Sequence, residues 1–249
     1  MLIDSHCHIN TLSSEERGNF FKKPLNGYLF VDSSIDLEST LVSLNISRKH
    51  GCIYSSVGFH PFSADKFFDN TVAKYKKLIT ESPKVIAVGE IGLDYKADAS
   101  LARQEEILRE FIQLAQKKEL PISIHNRLQG PLILNILDDY YSSYERVVFH
   151  CFSYSMDFLE KIVEKNGLIS FSLNVLRKRP DLLASLKACP LDNLILETDS
   201  PYMRIGARLS SPLDIEKVYS FVSEVKRIDE ENLKIKIQSN AESFFSLKR

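Results

Sequence analysis

The sequence predicts an α/β fold: a single (β/α)8 TIM barrel spanning residues 1–249, with any active site at the carboxyl ends of its strands. Eight short apolar runs alternate with helix-like stretches. No Pro-, Gly- or Ser-rich linker divides the chain, and 249 residues match the size of one such barrel, roughly 250 residues. A doubly wound sheet is the rival architecture. The phosphate-binding glycine fingerprint it often carries after its first strand is missing.

The strand-like runs are 2–5, 28–32, 52–58, 84–90, 121–125, 146–150, 168–172 and 193–199. Each is rich in Val, Ile, Leu, Phe or Tyr and is bounded by polar or turn residues. The plainest helix is 101–118, where Leu101, Leu108, Phe111, Ile112 and Ala115 share one face. Lys117 and Lys118 fall in its last turn, at the negative end of the helix dipole. The connection 9–27 is polar without a clear period and reads as a loop.

Lys and Arg number 32 against 33 Asp and Glu, a formal charge of −1. That balance argues against coating nucleic acid through a broad basic surface and leaves room for a local basic groove. With 44% hydrophobic and 26% charged residues, the chain can bury a core without a metal or disulfide to fold it. Cys7, Cys52, Cys151 and Cys189 are far apart and form no CxxC pair, the pattern of reduced thiols. The opening MLIDSHCHIN places an acid and two histidines before any apolar run, unlike a secretory signal. No stretch reaches the 18 or so apolar residues of a membrane span. A cytoplasmic protein is expected, without membrane association and with no protein partner evident.

Histidine placement is the informative feature. Five of the six histidines, His6, His8, His60, His125 and His150, fall at or just past the end of a predicted strand, as do Glu90 and Asp199. In a barrel those ends meet on one face. His6 and His8, two apart on a strand, point the same way and can reach one cation while Cys7 faces away. Asp4 is placed to fix an imidazole tautomer from behind. Glu90 ends a run of small and apolar residues, where an ionised, unpaired carboxylate is costly. Bridging two cations resolves that cost more simply than a buried arginine. Gly89 and Gly92 beside it leave room for a ligand.

His125, ending PISIH, and His150, ending RVVFH, make a second donor set with Glu90. Asp199 follows another aliphatic run; a cap or Asx turn before Pro201 is its plain alternative. Glu197 alternates with it and points to a different side. Cys151, beside His150, is expected to face away, and His50 reads as a solvated surface residue. The mixed nitrogen and oxygen donors suit Zn²⁺ or Mn²⁺, and Mg²⁺ less comfortably.

Taken in order, DSHCH at 4–8, VGFHP at 57–61, GEIGLDY at 89–95, PISIHNR at 121–127, HCFS at 150–153 and ETDSPY at 197–202 resemble the motifs of the TatD family of metal-dependent deoxyribonucleases. NAESFF at 240–245 is a fainter echo. The resemblance implies an amidohydrolase-type barrel and hydrolysis of phosphodiester bonds, typically in DNA. Carried across by position, it implies two divalent ions per chain: His6, His8 and Asp199 on one, His125 and His150 on the other, and Glu90 bridging. Glu90 and Asp199 are then the catalytic carboxylates, Asp199 as general base. His60 and Arg127 are implied near the substrate, Arg127 with a fork of donors for phosphate; its plain alternative is to pair with an acid. The rim departs from the family pattern. Leu128 and Gln129 stand where an acid and a small residue are usual, Tyr154 replaces a glycine, and MRIGARLSSP at 203–212 replaces an Arg- and Asn-containing segment.

Two rivals accompany the phosphodiesterase reading. The same metals could serve a small amide, ester or lactone, which the altered rim favours. A non-catalytic, metal-stabilised binding protein would instead hold its ions with no open coordination position.

Overall fold

The computed structural model describes residues 1–128 and 130–247. Its main sheet runs β1 (Leu2–Cys7), β2 (Tyr28–Ser33), β3 (Ile53–Val57), β4 (Val85–Asp94), β5 (Ile122–Arg127), β6 (Val147–Phe149), β7 (Leu168–Phe171) and β8 (Leu194–Leu196), in sequence order. Every ladder is parallel. Unbroken sequence order excludes a doubly wound sheet, whose strand order reverses. The ring closes through the segment after β8: His8 N donates to Ser200 O at 2.7 Å and Asp199 N to His6 O at 2.9 Å. The architecture is a (β/α)8 barrel.

Helices alternate with the strands: α1 (Ser14–Phe21), α2 (Leu37–Lys49), α3 (Thr71–Glu81), α4 (Leu101–Lys117), α5 (Leu132–Asp138), α6 (Met156–Glu164), α7 (Pro180–Ala188), α8 (Ile215–Lys226) and α9 (Glu230–Phe244). Among the described residues, no helix is long and apolar enough to cross a membrane. Ile3, Leu29, Val31, Ile86, Val148, Leu168 and Ile195 form one buried cluster with Ala241, Phe244 and Phe245. The end of α9 thus packs against residues near the strand starts, away from the strand ends. This gives the NAESFF segment a packing role.

Several local expectations are corrected. The connection 9–27 contains a 3-10 turn, Ile9–Thr11, and helix α1. A capping box nucleates α1: Ser13 accepts from the Glu16 backbone and the Glu16 side chain accepts from the Ser13 backbone. Its apolar content is too low to show a period. Leu101, the first residue of α4, is 43% exposed, whereas Leu108, Phe111, Ile112 and Ala115 are buried. His50 stacks on Phe21 at 3.7 Å between ring centroids, so it covers α1 as well as meeting solvent.

The glycines beside Glu90 serve the barrel wall. A Cβ on Gly92 would lie 1.6 Å from His125 O, and one on Gly89 would lie 2.6 Å from Ser123 Cβ. Gly58 is equally confined, with Gly89 C 2.4 Å from its would-be Cβ. These positions admit neighbouring strands, not a ligand. The same crowding accompanies irregular register between β4 and both neighbours. β4 continues four residues past Glu90, to Asp94.

Candidate metal centre

Of the eight predicted site residues, His6, His8, His60, His125, His150 and Asp199 gather around Glu90 and all seven are buried, whereas Arg127 is exposed at the rim. Glu90 Oε2 faces the first pair, 3.4 Å from His6 Nε2 and 3.6 Å from His8 Nε2. Its Oε1 faces the second, 2.7 Å from His125 Nδ1 and 2.8 Å from His150 Nε2. Asp199 Oδ1 lies 3.4 Å from His8 Nε2. Potential ligand atoms of His6, His8 and Asp199 cluster together, as do those of His6, Glu90 and His150 and those of His60, Glu90 and His125.

For two of the imidazoles the far side decides the tautomer. His8 Nδ1 lies 2.8 Å from Ser33 O and His125 Nε2 lies 2.9 Å from Asp94 Oδ2, so both nitrogens carry hydrogen. His150 Nδ1 faces Glu197 Oε1 at 3.5 Å, and His6 Nδ1 faces Ser123 Oγ at 3.4 Å. The inner nitrogens converge in pairs, His6 Nε2 on His8 Nε2 at 3.2 Å and His125 Nδ1 on His150 Nε2 at 3.1 Å, and those of His8 and His125 present lone pairs. Ring nitrogens at such distances need a proton or a metal ion between them. Among the described residues, no Lys or Arg pairs with Glu90, Asp199 or Glu197; their charged contacts are all histidines. Buried carboxylates without a permanent cation and convergent imidazole lone pairs fit divalent ions.

His60 differs. The Phe62 backbone N–H donates to its Nδ1 at 3.0 Å, which leaves the hydrogen on Nε2, 3.5 Å from Glu90 Oε1. Burial pushes the His60 imidazole down to about 3, so it stays neutral. It is an N–H donor aimed into the site.

Burial would raise the Glu90 carboxyl, but the imidazoles of His150, His60 and His125 packed around it outweigh that and hold it well below the usual range. Burial likewise opposes ionisation of Asp199, and the His8 contact with the neighbouring imidazoles reverses that. Both carboxylates are ionised in the folded protein.

Above the cluster opens a cavity of ≈ 660 Å³. Arg127 and Arg179 line it together with Phe62, Tyr95 and Tyr202, residues that are 53%, 64% and 54% exposed. Leu128, Tyr154 and Met203 of the altered rim also line it; Gln129 lies outside the described residues. After Met203, β9 (Arg204–Ile205) and β10 (Arg208–Leu209) form a hairpin, which Arg208 ties to Asp214 at 2.8 and 2.6 Å.

Other placements differ from expectation. Asp4 touches no imidazole: it accepts from Thr198 N at 2.8 Å and Thr198 Oγ1 at 2.6 Å. It clamps the segment carrying Asp199 because β8 ends at Leu196, earlier than its aliphatic run suggests. Cys7 turns away as expected, its Sγ on Val31 O. Cys151 instead lines the cavity, with Sγ 3.2 Å from Ser172 Oγ, because its backbone turns left-handed just past β6. Arg127 is partly committed, its Nη1 3.0 Å from Asp94 Oδ2. Asp94 and Glu197 are the residues that sequence reasoning missed. Both are acids near a strand end beside a candidate ligand, and that was the available signal.

The profile of the TatD-related DNase family matches residues 3–246. A metal-dependent hydrolase of Methanocaldococcus jannaschii is 31% identical, the match covering 98% of this chain and 96% of that one. A protein of Erwinia billingiae named 3'-5' ssDNA/RNA exonuclease TatD is 28% identical over 88% of this chain and 87% of its own. The crystal structure of YjjV, a TatD homolog from Escherichia coli K12, superposes with a TM-score of 0.90 at 24% identity, covering 99% of this chain and 98% of that one. With its histidines and acids gathered at the strand ends of a (β/α)8 barrel, the chain belongs to the TatD-related DNase family of metal-dependent hydrolases.

Proposed function

We propose that the chain is one hydrolase domain that cleaves phosphodiester bonds of single-stranded nucleic acid, DNA foremost, using two divalent ions. The observation that carries this reading is the convergence of two imidazole pairs on separate oxygens of one buried carboxylate, Glu90. His6, His8 and Asp199 would hold one ion, His125 and His150 the other, and Glu90 both. Zn²⁺ and Mn²⁺ suit these donors best, with Mg²⁺ next. Bound there, the ions would acidify water and offset the charge that builds on the phosphoryl oxygens.

The chain's own groups supply the rest. The Asp199 carboxylate takes the proton of the attacking water. His60 donates its Nε2–H to a phosphate oxygen, since its Nδ1 is already engaged by Phe62 N. Arg127 keeps donors free for phosphate beyond the nitrogen held by Asp94. Exposed Phe62, Tyr95 and Tyr202 offer faces on which unpaired bases stack, worth roughly 1–3 kcal/mol per base. The names of TatD exonuclease relatives support the same substrate class.

A second reading, hydrolysis of a small amide, ester or lactone, draws on the wall formed by Leu128, Tyr154 and Met203. Chelated protein is supplied in turn with Mg²⁺, Mn²⁺ or Zn²⁺ and offered an end-labelled single-stranded DNA beside an amide, ester and lactone panel. Metal-dependent shortening of the DNA is expected. Turnover confined to the small substrates overturns the nucleic-acid reading.

A further inference from the structure

We infer that Asp94 and Glu197 are positioning residues for one ion only, supplying from behind His125 and His150 the negative charge that Asp199 supplies directly beside His6 and His8. This rests on the two-ion reading and adds to it a division of charge between the two positions.

The two imidazole pairs have different backs. Behind His8 is a neutral carbonyl, Ser33 O at 2.8 Å, and behind His6 a neutral hydroxyl, Ser123 Oγ at 3.4 Å. Behind His125 is Asp94 at 2.9 Å and behind His150 is Glu197 at 3.5 Å, both carboxylates wholly buried. The front of the site is unequal in the opposite sense. Asp199 joins His6 and His8 in one potential ligand cluster. Among the described residues, the potential ligand clusters that hold His125 and His150, with His60 and His6 respectively, contain Glu90 as their one carboxylate.

A divalent ion among neutral imidazoles in a buried site needs negative charge nearby. A carboxylate that accepts an imidazole N–H fixes the tautomer and raises the basicity of the opposite nitrogen. Asp94 does this for Nδ1 of His125; Glu197, 3.5 Å from Nδ1 of His150 and not hydrogen-bonded to it, contributes its charge from behind. Glu197 has little other reason to be where it is. It accepts from Cys151 N at 2.7 Å, its Oε2 has no hydrogen-bond partner, and no Lys or Arg pairs with it among the described residues. Asp94 is better supported, by Lys96 N at 2.8 Å and by Arg127. It therefore links the candidate phosphate-binding arginine to a candidate ligand through one oxygen, Oδ2.

The test is calorimetric titration of chelated full-length protein with Mn²⁺. Asp94→Asn and Glu197→Gln keep size and an acceptor oxygen but remove the charge. Each is made in the parent, in His8→Ala, which retains only the His125–His150 position, and in His150→Ala, which retains only the other. In the parent and in His8→Ala, either charge removal should weaken one ion about 10–100-fold, the usual effect of such outer partners. In His150→Ala the remaining ion should bind within about threefold of its former affinity. Equal weakening in both backgrounds, or none in either, overturns the inference. A parent that binds fewer than two equivalents overturns the two-ion reading, and the inference falls with it. Thermal melts of the ion-free variants exclude misfolding. Should Asp94→Asn melt far below the parent, Glu197→Gln decides the outcome alone.

Discussion

The backbone nitrogen of Asp199 donates to the carbonyl oxygen of His6 at 2.9 Å. The last candidate ligand in the chain is thus hung on the first, and the bond that shuts the barrel also sets the two side chains beside each other. Asp4 strengthens the same seam by holding Thr198 through both its N–H and its hydroxyl. The same contacts close the barrel and place the site, so a residue can be essential to the site without touching an ion.

Asp199→Asn separates chemistry from scaffold at this seam. The backbone bond to His6 survives, and the side chain keeps its size and one oxygen. What is lost is the base and one negative charge. We expect kcat on single-stranded DNA to fall by roughly 10²–10⁴, with KM changing much less because phosphate contacts come from other residues. Turnover within a few-fold of the parent at full metal loading would show that Asp199 is not the base.

Arg127→Ala probes the rim. Loss of one phosphate contact should raise KM, leave the ions in place and flatten the dependence of log affinity on log salt by about one. Steady-state kinetics and DNA binding between low and moderate salt read this out. If the ions leave with the arginine, its role is to hold Asp94 behind His125, and it is structural.

Gly92→Ala tests the packing of the wall that carries Glu90. The new Cβ would sit 1.6 Å from the His125 carbonyl oxygen, so a backbone must move. We expect a loss of roughly 3 kcal/mol or more, read as a thermal midpoint at least about 6 °C lower. Gly18→Ala in α1 meets nothing within 4 Å and should leave the midpoint unchanged or slightly raised. Equal melts for the two variants would contradict the packing account.

Asp214→Asn tests the anchoring of the rim hairpin. Burial would raise the Asp214 carboxyl, but Arg208 and Lys217 outweigh it and draw it from 3.8 down to about 2. A carboxyl depressed on folding stabilises above its unfolded value, and the contribution fades as pH falls from near 4 through about 2. The parent should therefore be about 1 kcal/mol more stable than the variant at pH 7, a modest figure because both cationic partners are half-exposed. The gap should close by about pH 2. A pH-independent gap in denaturant unfolding would contradict the ion-pair explanation.

Much of this molecule was legible in its sequence because its signals are local. Strand and helix alternation is written in short apolar runs, and the histidine and acid positions follow from where those runs stop. Less legible was anything that depends on which strand end faces which. Asp94 lies behind His125 only because β4 bulges and runs on past Glu90, a register effect that no period in the sequence records. Glu197 was expected on a different side from Asp199, but its place behind His150 depends on how β6 and β8 sit around the ring. The glycines near Glu90 looked like space for a ligand, because a sequence does not reveal that a neighbouring backbone already fills it. Helix α1 escaped notice because a capping box, not an apolar stripe, defines it.

His6, His8, Glu90, His125, His150 and Asp199 are proposed to hold two ions. Anomalous diffraction from crystals equilibrated with Mn²⁺ tests it most directly. Two peaks flanking Glu90 are expected, roughly 3.5–4 Å apart as in other two-metal sites, with the peak at His125 and His150 lost when both are replaced by alanine. A parent crystal with no peak at Glu90, or a double variant whose peaks are unchanged, would contradict it.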